Sequence, residues 1–304
     1  MTVSENSRQT LLAEVETLSA KMQGRSLWRD AGERFFKNKA AMTGVCGIGL
    51  IAAFALFAPW VSPHDLEDFN YNYIMHAPTW EDSHWFGTDP NGRDLFVRVA
   101  YGARISLMIG LMTTLVALSI GVAYGATAGF IGGHVDNVMM RIVDVLFALP
   151  LIFFIIILVT VFGRNIFLVF IGIGAVEWLT MSRIVRGQTL SVKEKEYVEA
   201  ARAAGVNRRN IIRRHIIPNV IGPVIVFVTL LVPVNILIES YLSFLGLGVQ
   251  EPMTSWGVLI KQGAAEMETA PWMLIFPATF LAVTMFCFNF IGDGLRDALD
   301  PKDR

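Results

Sequence analysis

The chain has 304 residues, of which 54% are hydrophobic and only 17% charged, with a mean hydropathy of +0.51. A soluble protein of this size carries about 25% charged residues, so the composition excludes a disordered chain, a collagen-like repeat and a basic nucleic-acid-binding module. Two cysteines are too few for a disulfide framework, and the net charge of −1 hides a strongly uneven distribution.

The first predicted element is an amphipathic helix over 7–23, where Leu11, Leu12, Val15, Leu18 and Met22 recur at helical spacing. Trp28, Phe35 and Phe36 follow among Arg29, Arg34, Lys37 and Lys39, a pattern that suits a helix lying on a membrane face. Residues 1–39 are therefore expected to form a cytoplasmic, amphipathic N-terminal segment. Residues 40–64 contain no Asp, Glu, Lys or Arg and predict a first transmembrane helix over 40–63. This run is too long, and begins too late, to be the ~7–15-residue core of a secretory signal.

Residues 64–103 are acidic and aromatic and are expected on the periplasmic side. Trp and Tyr there favour the headgroup zone. The 86–94 stretch, Phe-Gly-Thr-Asp-Pro-Asn-Gly-Arg-Asp, is dense in turn formers and reads as a rigid turn. Residues 104–293 carry five more apolar windows, at 105–135, 145–163, 165–182, 215–238 and 269–292. They run from 18 to 31 residues, against the ~20 a membrane helix needs. The fold class is thus an all-α polytopic membrane protein with six transmembrane helices. Residues 294–304 form a short tail.

Basic residues set the orientation. Of the 25 Lys and Arg, five lie on one face (Arg93, Arg98, Arg104, Arg164 and Lys261), and the rest lie with the termini and the 183–214 segment. Both termini are therefore expected in the cytoplasm.

Within 189–218, an Ala-, Glu- and Lys-rich helix is expected to run to Ala204 and to end at Gly205 in a left-handed conformation. Asn207 then caps a second helix, which should stop near Pro218. Ala200, Ala201 and Ala204 leave a small face that a partner can approach closely. Tethering between two spans argues against a DNA-binding helix-turn-helix.

This loop resembles the EAA motif of ABC-importer permeases. That family has Glu-Ala-Ala, three residues, Gly, nine residues, then Ile-x-Leu-Pro. Glu199-Ala200-Ala201, Gly205 and Pro218 match in register, with His215 and Ile217 in place of Ile and Leu. His84-Trp85-Phe86-Gly87-Thr88-Asp89, Gly92-Arg93-Asp94 and 243–248 (Ser-Phe-Leu-Gly-Leu-Gly) are similar to the peptide-transporter branch. The resemblance covers nearly the whole chain. It implies a type I importer permease fold in a bacterial inner membrane and a helix–turn–helix coupling loop. It also implies a second homologous permease, two cytoplasmic ATPase subunits, a periplasmic binding protein and an oligopeptide substrate. Glu199, Ala200, Ala201, Ala204, Gly205 and Pro218 would form the ATPase-coupling site.

The chain has no phosphate-binding Gly-x-x-x-x-Gly-Lys loop and no helical zinc spacing among its five histidines, so no catalytic residue, cofactor or metal is expected. Glu177, Asn235 and Glu239 lie in apolar spans and either line a path or lock helices together. Asp144 is expected to pair with Arg141 one turn away. Cys46 and Cys287 read as core thiols. Glycines such as Gly121, Gly125 and Gly129 permit close helix packing. A proton-coupled carrier using Glu177 or Glu239 is the competing reading, and a non-transporting membrane scaffold is a third.

Overall fold

The computed structural model describes residues 27–163 and 165–299; the predicted 7–23 helix and the last five residues lie outside them. The described elements are α1 (Leu27–Lys37), α2 (Lys39–Val61), α3 (Leu95–Ile131), α4 (Gly133–Phe147), α5 (Leu151–Phe162), α6 (Ile166–Val192), α7 (Glu196–Ala203), α8 (Arg208–Ile211), α9 (Ile217–Phe244), α10 (Trp256–Ala265) and α11 (Trp272–Leu299). Thr88 and Asp94 form an isolated antiparallel bridge.

Five helical segments are long and apolar enough to cross a membrane: α2, α3, α6, the continuous α8–α9 stretch and α11. The third predicted span is instead a pair, α4 and α5, bent by 75°. Pro150 accounts for the break: it disfavours helix at Leu149 and sits as the N-cap of α5. At 12 residues α5 rises about 18 Å, short of a ~30 Å hydrocarbon core. Six spans result when the bent pair counts as one.

The second span begins earlier than its charge-free window. Asp94 caps α3 by accepting from the Val97 amide at 2.9 Å, so the helix includes Arg98 and Arg104. Its 37 residues extend about 56 Å and carry it well into the acidic segment. Arg98 is buried against Asp89. Arg104 serves a different need. Pro59 has no amide, so the Ala55 carbonyl of α2 lacks its helical donor. The Arg104 Nε donates to that carbonyl at 2.5 Å, and its Nη2 donates to Leu56 O at 2.9 Å.

Small residues decide which helices meet. The most extensive packing joins α3 to α6. A Cβ on Gly121 would lie 2.5 Å from the Met181 side chain, one on Gly125 would strike the Ser182 carbonyl, and one on Gly129 would lie 2.9 Å from Thr189. On α2, Gly44 and Gly47 face Cys287 of α11 in the same way. Cys287 is buried there, whereas Cys46 is exposed on α2, because the glycines and not the cysteine occupy the seam. The outward faces carry exposed Leu50, Phe153, Phe167 and Phe286. Apolar patches of this extent suit lipid rather than water.

Gly125→Leu should separate α3 from α6. A clash against backbone costs about 1–3 kcal/mol, read as a lowered melting temperature in detergent. Gly49, which has open space around it, should tolerate Ala without loss. Equal melting of the Leu variant and the parent would contradict the packing account.

Candidate functional site

The basic loop between α6 and α9 begins where α6 ends at Val192. α7 carries Glu196 and Glu199 in its first turn, at the electropositive end of the helix dipole. Its C-terminus is a Schellman motif. The Val206 amide donates to Ala201 O at 3.1 Å and the Gly205 amide to Arg202 O at 3.0 Å, with Gly205 at φ +74°. Asn207 Oδ1 then accepts from the Arg209 amide at 3.1 Å and starts α8.

The expected stop at Pro218 does not occur. Residues Ile212–Ile216 form a π-helical turn that joins α8 to α9, and Pro218 sits in the first turn of α9. A proline is tolerated there because the first-turn amides need no helical acceptor. The loop is therefore continuous with the fifth span.

Val198 and Ala201 turn inward and pack with Phe130, Val185, Ile211 and Ile216. Ala201 therefore supports the loop rather than offering a face to a partner. Glu199, Ala200, Ala204 and Gly205 remain exposed, as does Ala203, which the sequence pattern did not single out. The result is a projecting tip of small side chains on a base anchored to three long helices.

The intramembrane polar groups divide clearly. Asn235 is buried and donates from Nδ2 to Thr114 Oγ1 of α3 at 2.9 Å. Glu239 is fully buried in a cage of hydroxyls. Ser243 donates to its Oε1 at 2.6 Å and Ser106 of α3 to its Oε2 at 3.3 Å. Ser106 Oγ also accepts from the Trp256 amide at 3.2 Å, which brings α10 into the network. Glu177 is half-buried on α6 and has no hydrogen-bond or ion-pair partner among the described residues.

Asp144 does not pair with Arg141. Its Oδ1 accepts from Arg183 Nη2 of α6 at 2.8 Å, and Arg183 also lies over Phe147. One turn on, Arg186 grips Asp136 with two bonds of 2.6 and 2.7 Å. These pairs hold α4 against α6 across long sequence separations, which no local rule detects.

On the opposite face, Asp89 closes the 86–94 turn. Its Oδ1 accepts from the amides of Asn91 and Arg93 at 2.8 and 2.9 Å; its Oδ2 accepts from Arg93 Nε at 2.7 Å and from Arg98. Arg93 Nη2 continues to Glu251 at 3.0 Å and Arg98 Nη2 to Gln262 at 3.1 Å. Nearby, His64, His84 and Asp94 bring ligand-type atoms within 4.8 Å of one another, a cluster absent from the sequence reading because its members lie 10 to 30 residues apart. Its geometry suits packing. His84 Nδ1 bonds Asp94 Oδ2 at 2.9 Å, and the two imidazoles stack at 4.1 Å and 12°. A metal sits in the plane of each imidazole that binds it, so near-parallel stacked rings cannot share one ion as arranged.

The family model for binding-protein-dependent transport system inner membrane components matches residues 120–304, and that for the N-terminal TM domain of oligopeptide transport permease C matches 26–78. The oligopeptide transport system permease protein OppC of Haemophilus influenzae is 58% identical over 93% of this chain and 91% of its own. That of Escherichia coli K12 is 55% identical over the full length of both. The dipeptide transport system permease protein DppC of Bacillus subtilis is 43% identical over 95% of this chain and 90% of its own. The proton-coupled carrier gains no support from these relatives. The all-helical bundle, its apolar outer faces and these matches agree: the chain belongs to the family of inner-membrane permease components of binding-protein-dependent ABC importers.

Proposed function

We propose that this chain is one of two homologous permeases that together carry oligopeptides from periplasm to cytoplasm, driven by two ATPase subunits and supplied by a periplasmic binding protein. The observation that carries the reading is the exposed tip Glu199, Ala200, Ala204 and Gly205, set on a rigid base in a chain whose full-length relatives are oligopeptide permeases. Small side chains let a groove on an ATPase close around α7, and Glu199 supplies a charge for pairing. Val198, Ala201, Ile211 and Ile216 tie the tip to α3, α6 and α9, so force on the tip reaches the spans. Pro218 contributes by allowing α9 to start directly from the loop. Asn235 and Glu239 are assigned to helix packing, since Glu239 is bonded by the hydroxyls of Ser106 and Ser243 and Asn235 donates across to Thr114 of α3. Glu177 is assigned to the water-filled path, because an unpartnered carboxylate is costly against lipid.

The reading places residues 1–39, 183–214 and 294–304 in the cytoplasm and 64–94 in the periplasm. The 25 basic residues motivate it. Ala77→Cys and Ala200→Cys, each in a chain without native cysteines, test it with a membrane-impermeant thiol reagent on intact cells. Labelling at 77 and none at 200 is expected; the reverse pattern overturns the orientation.

Gly205→Val should weaken ATPase docking without preventing insertion. Open space surrounds a Cβ there, so the cost lies in the positive φ and not in a clash. ATPase co-purification should fall roughly tenfold, equivalent to about 1.4 kcal/mol, at unchanged membrane abundance. Undiminished co-purification and uptake would remove the docking assignment.

Peptide uptake by the reconstituted complex should require ATP. Glu239→Gln keeps hydrogen-bonding capacity towards the serines and should retain most uptake, whereas Glu239→Leu strands their hydroxyls and should lower stability by about 1–3 kcal/mol. Accumulation driven by a pH gradient without ATP would defeat the importer reading.

A further inference from the structure

Behind the coupling tip lies a cavity of about 450 Å³ bounded by the ends of α3 and α6 and by α7 and α8. Its walls carry Lys193, Arg202 and Arg208 against a single acid, Glu194, over an apolar floor that includes Phe130 and Ile211. Glu194 is mostly solvated and only within 4.0 Å of Lys193, so it neutralises little. Arg202 and Arg208 have no carboxylate partner among the described residues.

Two of the cations reach back to the end of α3. The Arg202 guanidinium lies 4.9 Å above the Phe130 ring, in the last turn of α3. Lys193 follows directly on the last residue of α6, and its Nζ lies 3.7 Å from where a Cβ on Gly132 would stand. Both helices end here, so the cavity lies at the end of the bundle that carries the coupling loop. Towards the membrane centre along α3 and α9 runs a groove lined by Leu118, Val122, Ile217, Val220, Val224 and Val228, with almost no polar surface.

We propose that this cavity binds the phosphate of an anionic phospholipid, with an acyl chain lying along the α3–α9 groove. A cluster of cations at the end of apolar helices attracts acidic headgroups, and each basic residue adds to the affinity. An acidic side chain from a partner protein would satisfy the charges but would leave the apolar groove unused. The lipid thereby fastens the base of the coupling loop to α3 and α9.

The test uses the intact complex in phosphatidylcholine nanodiscs doped with photoreactive phosphatidylglycerol, with labelled peptides mapped by mass spectrometry. Labelling is expected within 118–131 and 193–228. Unlabelled phosphatidylglycerol should displace it, and phosphatidylcholine or millimolar inorganic phosphate should not. Combined Lys193→Gln, Arg202→Gln and Arg208→Gln should lower labelling roughly tenfold or more, while Lys193→Arg, Arg202→Lys and Arg208→Lys should preserve it. Equal labelling in the Gln variant, loss of labelling in the charge-conserving variant, or labels spread over the whole lipid-facing surface overturns the proposal. Displacement by phosphate points to a free-anion site instead. Labelling that appears only after the ATPases are stripped assigns the cations to protein docking.

Discussion

The bundle depends on how closely the backbones of α3 and α6 approach. With Gly121, Gly125 and Gly129 in one stripe, Met181, Ser182, Val185 and Thr189 lie directly on the α3 main chain. Lipid tails are as apolar as leucine, so burial alone gives helices little reason to associate inside a bilayer; close van der Waals packing does. This seam fixes the end of α6 beside the end of α3. The base of the 193–211 loop inherits its position from it, and so does α4, which two Arg–Asp pairs strap to α6.

A second layer of order comes from buried polar groups that bond across helices. Glu239 with Ser106 and Ser243, and Asn235 with Thr114, tie α9 to α3 at two levels. On the acidic face Asp89 answers two arginines that would otherwise carry uncompensated charge in a buried site. These groups therefore specify one arrangement of helices where apolar packing alone would allow several.

Much of this was legible in the sequence, and the exceptions share a cause. The apolar windows identified five spans because hydrophobic length is a local property. α3 was read ten residues too short because Arg98 and Arg104 interrupt its window; Arg98 is met by Asp89, nine residues away, and Arg104 by carbonyls of α2, 48 and 49 residues away. Gly205 and Asn207 were readable because caps are local chemistry. Pro218 misled because a proline usually ends a helix, whereas here a π-turn places it at a helix start. Asp144 was matched to Arg141 one turn away although its partner, Arg183, lies on another helix. The seven-residue neighbourhood that sequence rules see contains none of these long-range partners.

Asp94 divides its two oxygens between the first turn of α3 and His84 in the loop before it. The segment before α3 and the start of the second span thus form one mechanical body, although one is acidic and turn-rich and the other apolar and helical. A chimaera that exchanges this segment between related permeases has its natural seam inside α3, beyond Arg98, where the carboxylate, its helix and its histidine travel together. A junction placed at the membrane border implied by hydropathy would keep that set intact as well; one placed at the visible end of the loop would cut through it.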